Sequence, residues 1–148
     1  MTIVDDQHPY DYCIIFIYIF RISIFQTSNT IFERINLKKK LTIIIPTYNV
    51  EQYIEKALDS IYNQQNIDLE QDIQVLIVDD GSNDNTALII NNWLSSKNTQ
   101  SFQYIKKSNG NWGSVINYVK NNKLIKGEYV SILDADDFYN TNCFQEVF

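Results

Sequence analysis

Three carboxylates within four positions, Asp134, Asp136 and Asp137, follow an apolar stretch, Tyr129 to Leu133. Carboxylates this close repel one another unless a cation lies among them, and a hard divalent ion such as magnesium or manganese is the simplest neutraliser. A solvated acidic turn ending a strand is the alternative reading of the same residues. A second acidic cluster, Asp79, Asp80 and Asp84, follows the apolar stretch Ile73 to Val78, and the turn Pro46-Thr47-Tyr48-Asn49 closes a third, Leu41 to Ile45. An aromatic such as Tyr48 can stack on a base, while Asp79 or Asp80 can accept hydrogen bonds from a base or ribose. A divalent ion at the Asp134 end would offset charge on a leaving diphosphate. The inventory fits a nucleoside diphosphate.

Composition narrows the alternatives. The single histidine, His8, removes histidine-based triads and histidine metal sites, and the two cysteines, Cys13 and Cys143, lie too far apart for a disulfide framework or a zinc pair. Each reads as a lone buried thiol. A net charge of -6 without a basic stripe gives no reason to expect a nucleic-acid partner. A dinucleotide dehydrogenase would carry Gly-x-Gly-x-x-Gly after its first strand, where this chain has no glycine. A receiver-type signalling domain would have its acidic pair there, where this chain has Pro46.

The elements that must position these residues read as α/β. With 148 residues, 45% hydrophobic and 20% charged, the chain suits one domain. The strand Leu41 to Ile45 stops at Pro46, and Asn49 reads as an N-cap with Gln52 three residues on. Val50, Tyr53, Ile54, Ala57, Leu58 and Ile61 then form one helical face. After a polar linker, Asn66 to Gln71, come the strand Ile73 to Val78 and a helix capped by Asn83 or Asp84, with Ala87, Ile90, Trp93 and Leu94 inward. Phe102 to Ile105 reads as a short strand. The glycine-bearing loop Lys107 to Ser114 opens onto a helix at Val115 to Asn122, and serves either as a phosphate-binding loop or as a plain turn. Gly127 breaks the chain before the last strand. Parallel crossover units put all these strand ends on one rim, where ligands bind.

Residues 1–40 form an atypical N-terminal extension. The apolar run Tyr12 to Phe25 contains Arg21 and is shorter than the about twenty residues a membrane-spanning helix needs. Asp5, Asp6 and Asp11 replace the basic start of a signal peptide. The first reading is translated sequence upstream of a natural start near Asn36. The second is peripheral membrane association, with Lys38 to Lys40 touching anionic lipid, and the third an added strand.

The segment Leu41 to Tyr139 resembles the donor-binding half of family 2 glycosyltransferases. The resemblance rests on Leu-Thr-Ile-Ile-Ile-Pro-Thr-Tyr-Asn-Val-Glu at 41–51, Val-Asp-Asp-Gly-Ser-Asn-Asp-Asn-Thr at 78–86 and Leu-Asp-Ala-Asp-Asp at 133–137, in the family's order and spacing. It implies a Rossmann-like GT-A fold with a mainly parallel sheet over 41–148, a nucleotide-sugar donor such as a UDP-sugar, a divalent metal (magnesium or manganese) and transfer with inversion. By that resemblance Pro46, Thr47, Tyr48 and Asp80 contact the nucleotide, and Glu51 and Asp79 support the same site. Asn111 and Gly113 match the family's Asn-x-Gly, Asp134, Ala135 and Asp136 its Asp-x-Asp, and Asp136 or Asp137 meets the metal. Where many members continue with Ala-Arg-Asn, this chain has Asn117-Tyr118-Val119. The family's acceptor site and catalytic base lie beyond the matched part, so the domain reads as truncated, the catalytic residue is unassigned and Glu146 is not given that role. The resemblance implies an acceptor such as a cell-envelope glycan or lipid-linked saccharide, and work in the cytoplasm or at the inner face of the membrane.

Overall fold

The computed structural model describes residues 20–21 and 39–146. Five strands form one sheet: β1 (Phe20–Arg21), β2 (Lys39–Thr47), β3 (Ile73–Asp79), β4 (Phe102–Lys106) and β5 (Gly127–Ile132), in the order β1-β5-β2-β3-β4. Pairings among β5, β2, β3 and β4 are all parallel, and β1 lies antiparallel on the outer edge of β5. Helix α1 (Ile54–Tyr62) and the short α2 (Leu69–Asp72) connect β2 to β3, α3 (Thr86–Ser96) connects β3 to β4, and α4 (Trp112–Asn121) connects β4 to β5.

The sequence dictates this layering through its apolar runs. β3 is buried along its whole length, as a strand covered on both faces must be. Alternate side chains of β2 face opposite ways: Leu41, Ile43 and Ile45 join Ile54, Ala57, Leu58, Ile61, Ile90 and Trp93, whereas Ile44 joins Leu76, Val78, Val115 and Val119. Helices α1 and α3 thus cover one face and α4 the other. The chain moves outward from β2 through β3 to β4, then returns to place β5 on the far side of β2. That reversal makes the junction of β2 and β5 a topological switch point, where the strand ends leave a crevice.

Buried polar groups tie the opposite, amino-terminal ends of the strands. Thr42 Oγ1 donates to Gln74 Oε1 at 2.7 Å and accepts the Gly127 amide at 2.9 Å, while Gln74 Nε2 donates to the Leu124 carbonyl at 3.0 Å. Gly127 opens β5 instead of breaking the chain before it. A side chain there has no room, since a Cβ would lie 2.4 Å from the Thr42 nitrogen.

Other boundaries differ from the sequence-based expectation. Asn49 does not cap α1, which begins at Ile54 without a side-chain cap, because the amides of Asn49, Val50 and Glu51 are drawn to acceptors on the turn after β3. Tyr53 is consequently exposed, while Ile54, Ala57, Leu58 and Ile61 are buried as expected. α3 starts at Thr86, whose amide Asp84 Oδ1 accepts at 3.0 Å, and Asn83 is exposed. α4 starts at Trp112, three residues before the expected start.

Of the extension, Phe20 and Arg21 form a strand pair with Val130 and Tyr129, the third-ranked reading of that region. The rest of the Tyr12 to Phe25 run, with His8, Cys13, Asn36 and Lys38, lies outside the described residues. Lys40 pairs with Asp72 at 3.1 Å and Lys39 donates to the Glu70 carbonyl, so both have partners within the domain. Cys143 is buried as read. Among the described residues no helix is long and apolar enough to cross a membrane.

Gly127→Ala is expected to lower unfolding stability by about 1–3 kcal/mol, as overpacking against fixed backbone does. Gly113→Ala, with nothing within 4 Å of the added carbon, is expected to leave stability unchanged or raise it by about 0.5–1 kcal/mol. Urea midpoints of the two variants provide the comparison.

Candidate nucleotide site

A cleft of about 240 Å³ opens at the carboxyl rim of β5, β2 and β3. Pro46, Thr47, Tyr48 and Val50 line it from the end of β2, Asp80 from the end of β3, and Asp134, Ala135 and Asp136 from the end of β5. Trp112 and Val115 of α4 close one side.

Each strand end arrives by a recognisable local cause. Pro46 pairs with Val78 near the end of β2, and the Asp80 amide donates to the Thr47 carbonyl at 2.8 Å, so the two turns leave the sheet in contact. The Thr47 hydroxyl is occupied by the Ile45 carbonyl at 3.0 Å. Among the described residues Tyr48 has no such tether, and it is 48% exposed, its ring available to a flat ligand. After β5 the Asp137 amide closes a turn on the Asp134 carbonyl at 2.9 Å. That turn sets the exposed Asp134 and Asp136 along the cleft, with Asp137 outside its lining.

The acids of the middle turn are differently employed. Asp79 is fully buried; Oδ1 accepts the Ser82 amide at 2.7 Å and Oδ2 accepts the Tyr104 hydroxyl at 2.6 Å. Burial first, and then the Asp79 carboxylate, push the Tyr104 phenol above its ordinary range. Glu51 Oε2 accepts the Asn85 amide and the Asn85 side-chain amide, each at 2.9 Å, and Asp84 Oδ2 accepts the Glu51 amide at 3.2 Å. Asp79 and Glu51 therefore brace the turns and do not line the cleft.

Asp80 has both duties. It lines the cleft, yet its carboxylate accepts the Gly110 amide at 3.0 and 3.1 Å and pairs with the Lys107 ammonium, which also donates to Ser114 Oγ at 2.8 Å. Burial by itself pushes the Asp80 carboxyl up, but the Lys107 ammonium and the Gly110 and Asn111 amides outweigh it and hold the group below the usual carboxylate range. Loop 107–111 thereby hangs from the end of β3. Asn111 takes φ 70° at its exit, and neither Asn111 nor Gly113 lines the cleft. The residue between them does. Trp112, like Val50 and Val115, was not singled out from the sequence, although a large aromatic within an Asn-Gly loop was a visible signal.

Among the described residues there is no group of three or more histidine, cysteine, aspartate or glutamate side chains able to form a cage. Asp134 and Asp136 offer exposed carboxylate oxygens in one cleft, and among the described residues neither side chain is engaged in a hydrogen bond or ion pair. Magnesium-type ions are often held by one or two carboxylates, with substrate phosphates and water completing the shell, so these residues fit that mode.

The family model for glycosyl transferase family 2 matches residues 42–148. The chain belongs to that family. An uncharacterized glycosyltransferase of Mycoplasma genitalium is 56% identical over 101 residues, covering 68% of this chain and 33% of that relative. The minor teichoic acid biosynthesis protein GgaB of Bacillus subtilis is 37% identical over 106 residues, covering 72% of this chain and 11% of that protein. Among solved structures, S. aureus TarS 1–349 in complex with UDP-GlcNAc matches with a TM-score of 0.62 and 31% identity, over 73% of this chain and 30% of that one. The mannosyltransferase PcManGT of Pyrobaculum calidifontis, in complex with GDP-Man and Mn2+, matches with a TM-score of 0.62 and 26% identity, over 71% and 30% of the respective chains. These neighbours bear out the GT-A architecture. The chain spans about a third of the length of the Mycoplasma relatives it matches.

The Asp80 carboxyl titrates lower in the folded than in the unfolded chain, so its contribution is present above the unfolded value of about 3.9 and is lost as pH falls through the lower folded value. Asp80→Asn is expected to cost about 3 kcal/mol at pH 7, because it leaves the mostly buried Lys107 ammonium without its counter-charge. The difference between wild type and variant should narrow below about pH 4. Urea unfolding from pH 7 to pH 2.5 measures it.

Proposed function

We propose that the chain binds the nucleoside diphosphate end of a nucleotide-sugar in this cleft and supplies the donor-binding half of an inverting, metal-dependent glycosyltransferase. The observation that carries the proposal is the convergence of Tyr48, Asp80 and the Asp134 and Asp136 pair on one cleft at the switch point of a parallel sheet. Structural neighbours in complex with UDP-GlcNAc and with GDP-Man support a nucleotide-sugar as ligand.

In this reading Tyr48 offers its ring to the base, and Pro46 and Thr47 form the adjoining wall. Asp80 faces the nucleoside while keeping loop 107–111 against it. Asp134 and Asp136, rather than the Asp136 and Asp137 expected from the sequence, would hold magnesium or manganese by their oxygens, since Asp137 is outside the cleft lining. A bound divalent ion would supply positive charge to the diphosphate leaving group, which a chain of net charge -6 lacks in excess. The acceptor oxygen, giving up its hydroxyl proton to a base that this reading leaves unassigned, forms its bond to the sugar carbon as the bond to the diphosphate breaks on the opposite side, a single displacement that inverts that carbon. An acceptor of the cell-envelope glycan or lipid-linked saccharide class accords with the teichoic acid protein among the relatives. The reading puts this work in the cytoplasm, at the inner face of the membrane where the acceptor is lipid-linked.

A second reading, nucleotide binding without transfer by residues 1–148 alone, is favoured by one observation. Of the acids lining the cleft, Asp80 is occupied by Lys107 and loop amides, and Asp134 and Asp136 are those assigned to the cation. None of the three remains as a base for an acceptor hydroxyl. Release of UDP from UDP-GlcNAc with a saccharide acceptor separates the two readings.

Calorimetric titration of UDP and GDP into the purified chain, with manganese and again with chelator, tests the donor site. Binding of one of them in manganese, weakened about tenfold or more by chelator and by Asp136→Asn, is the expected result. Equal affinity in all three conditions overturns the metal assignment, and no binding of either nucleotide by folded protein overturns the donor site.

A further inference from the structure

The chain has two tryptophans, and the structure treats them in opposite ways. Trp93 is 4% exposed, its Nε1 donates to Asp59 Oδ1 at 2.8 Å, and its ring meets Tyr62, Phe102 and Lys97. Trp112 is 53% exposed. Among the described residues its N–H has no acceptor and its ring no aromatic or cationic partner. Nothing in the folding of the domain accounts for a ring of this size at that place.

Its placement is nevertheless fixed. Trp112 is three residues before Val115 and so shares the helix face that packs on Ile44, Leu76 and Val78, but it lies one turn nearer the helix start. Helical side chains lean toward the N-terminus, which carries this ring past the end of the sheet and over the cleft. The backbone leading to it is held at several points. The Lys107 amide donates to the Asp79 carbonyl at 2.9 Å, Gly110 is bound to Asp80, and Ser114 closes on the Asn111 carbonyl at 2.9 Å. A Cβ at Gly110 would lie 2.7 Å from Ser114 Oγ, so the loop is closely fitted there. A half-exposed aromatic on a tethered mount suits a flat ligand as a wall, because the backbone that carries the ring has little freedom left to lose on binding.

We propose that Trp112 stacks on the nucleobase of the bound nucleoside diphosphate, so that the base is held by two rings, Trp112 and Tyr48. This inference rests on the donor-cleft reading above and adds a contact residue to it. The base is assigned to Trp112 because the loop that leads to that ring is bound to Asp80 through the Gly110 amide, whereas Asp134 and Asp136, the groups assigned to the diphosphate end, follow β5. Loop 107–111, hung from Asp80, acts as the mount.

The test combines calorimetry with tryptophan emission, since Trp112 is the exposed tryptophan and Trp93 is buried. In the 148-residue chain with manganese, UDP should quench emission while inorganic pyrophosphate does not. The quench should vanish in Trp112→Phe, whose calorimetric Kd stays within about threefold of wild type, while Trp112→Ala weakens UDP binding about tenfold. Circular dichroism melts of both variants should match wild type. Four results would overturn the inference: calorimetric binding of UDP without an emission change, an equal quench by pyrophosphate, a quench by UDP-GlcNAc but not by UDP, or unchanged affinity in Trp112→Ala. If neither UDP nor GDP binds by calorimetry, the donor-cleft reading falls as well, which separates its failure from that of the stacking contact.

Discussion

Where a parallel sheet ends, its backbone amides lose their ladder partners, and each must find an acceptor or stand unpaired in a partly dry crevice. The carboxyl rim of this sheet meets that constraint with side chains. Ser82 Oγ takes the Asn49 amide, Thr86 Oγ1 the Val50 amide, Asp84 the Glu51 amide, and in return Asn49 and Glu51 take the amides of Asn83 and Asn85. Asp79 and Asp80 do the same for Ser82 and Gly110. The two turns after β2 and β3 are therefore one laced unit. Within it, burial pushes the Asp84 and Asp80 carboxyls up, and the hydrogen bonds they accept, together with the Lys107 ammonium on Asp80, carry both below the usual range.

The cleft is a product of the same constraint. Once Asp79, Asp84 and Glu51 are committed to amides, the acids left projecting are those on the other side of the switch point, Asp134 and Asp136. A rim assembled this way has a rigid half at β3 and a solvated, negatively charged half at β5. The first suits a nucleoside, whose hydrogen bonds and flat faces need fixed partners, and the second suits a cation that brings its own oxygen ligands.

Strand positions were legible in the sequence because an apolar run marks each of them, although β2 does not stop at Pro46 but pairs through it to Thr47, and β3 takes in Asp79. The coming together of Pro46, Thr47, Tyr48, Asp80, Asp134, Ala135 and Asp136 was legible for a related reason: parallel crossovers leave strand ends no other place to go. What could not be read was the partner of each polar side chain. Asn49 has the composition of a helix cap for its own segment and serves the neighbouring turn instead, a choice made by a contact 34 residues away. Glu51 likewise holds the start of α3. Trp112 escaped because its significance lies in what it does not touch, and no periodicity encodes that.

The opening of loop 107–111 has a historical consequence. Its neighbours in the rim are bound to one another so densely that exchanging one side chain strands another, whereas Gly113 has open space beside it and Tyr48 and Trp112 anchor nothing in the fold. Divergence of ligand preference within such a domain has an easy route, through the projecting rings and the open space beside Gly113 in α4, and a hard one, through the laced acids. On the proposed donor reading, a lineage could change which base it accepts many times while its acidic turns stood still.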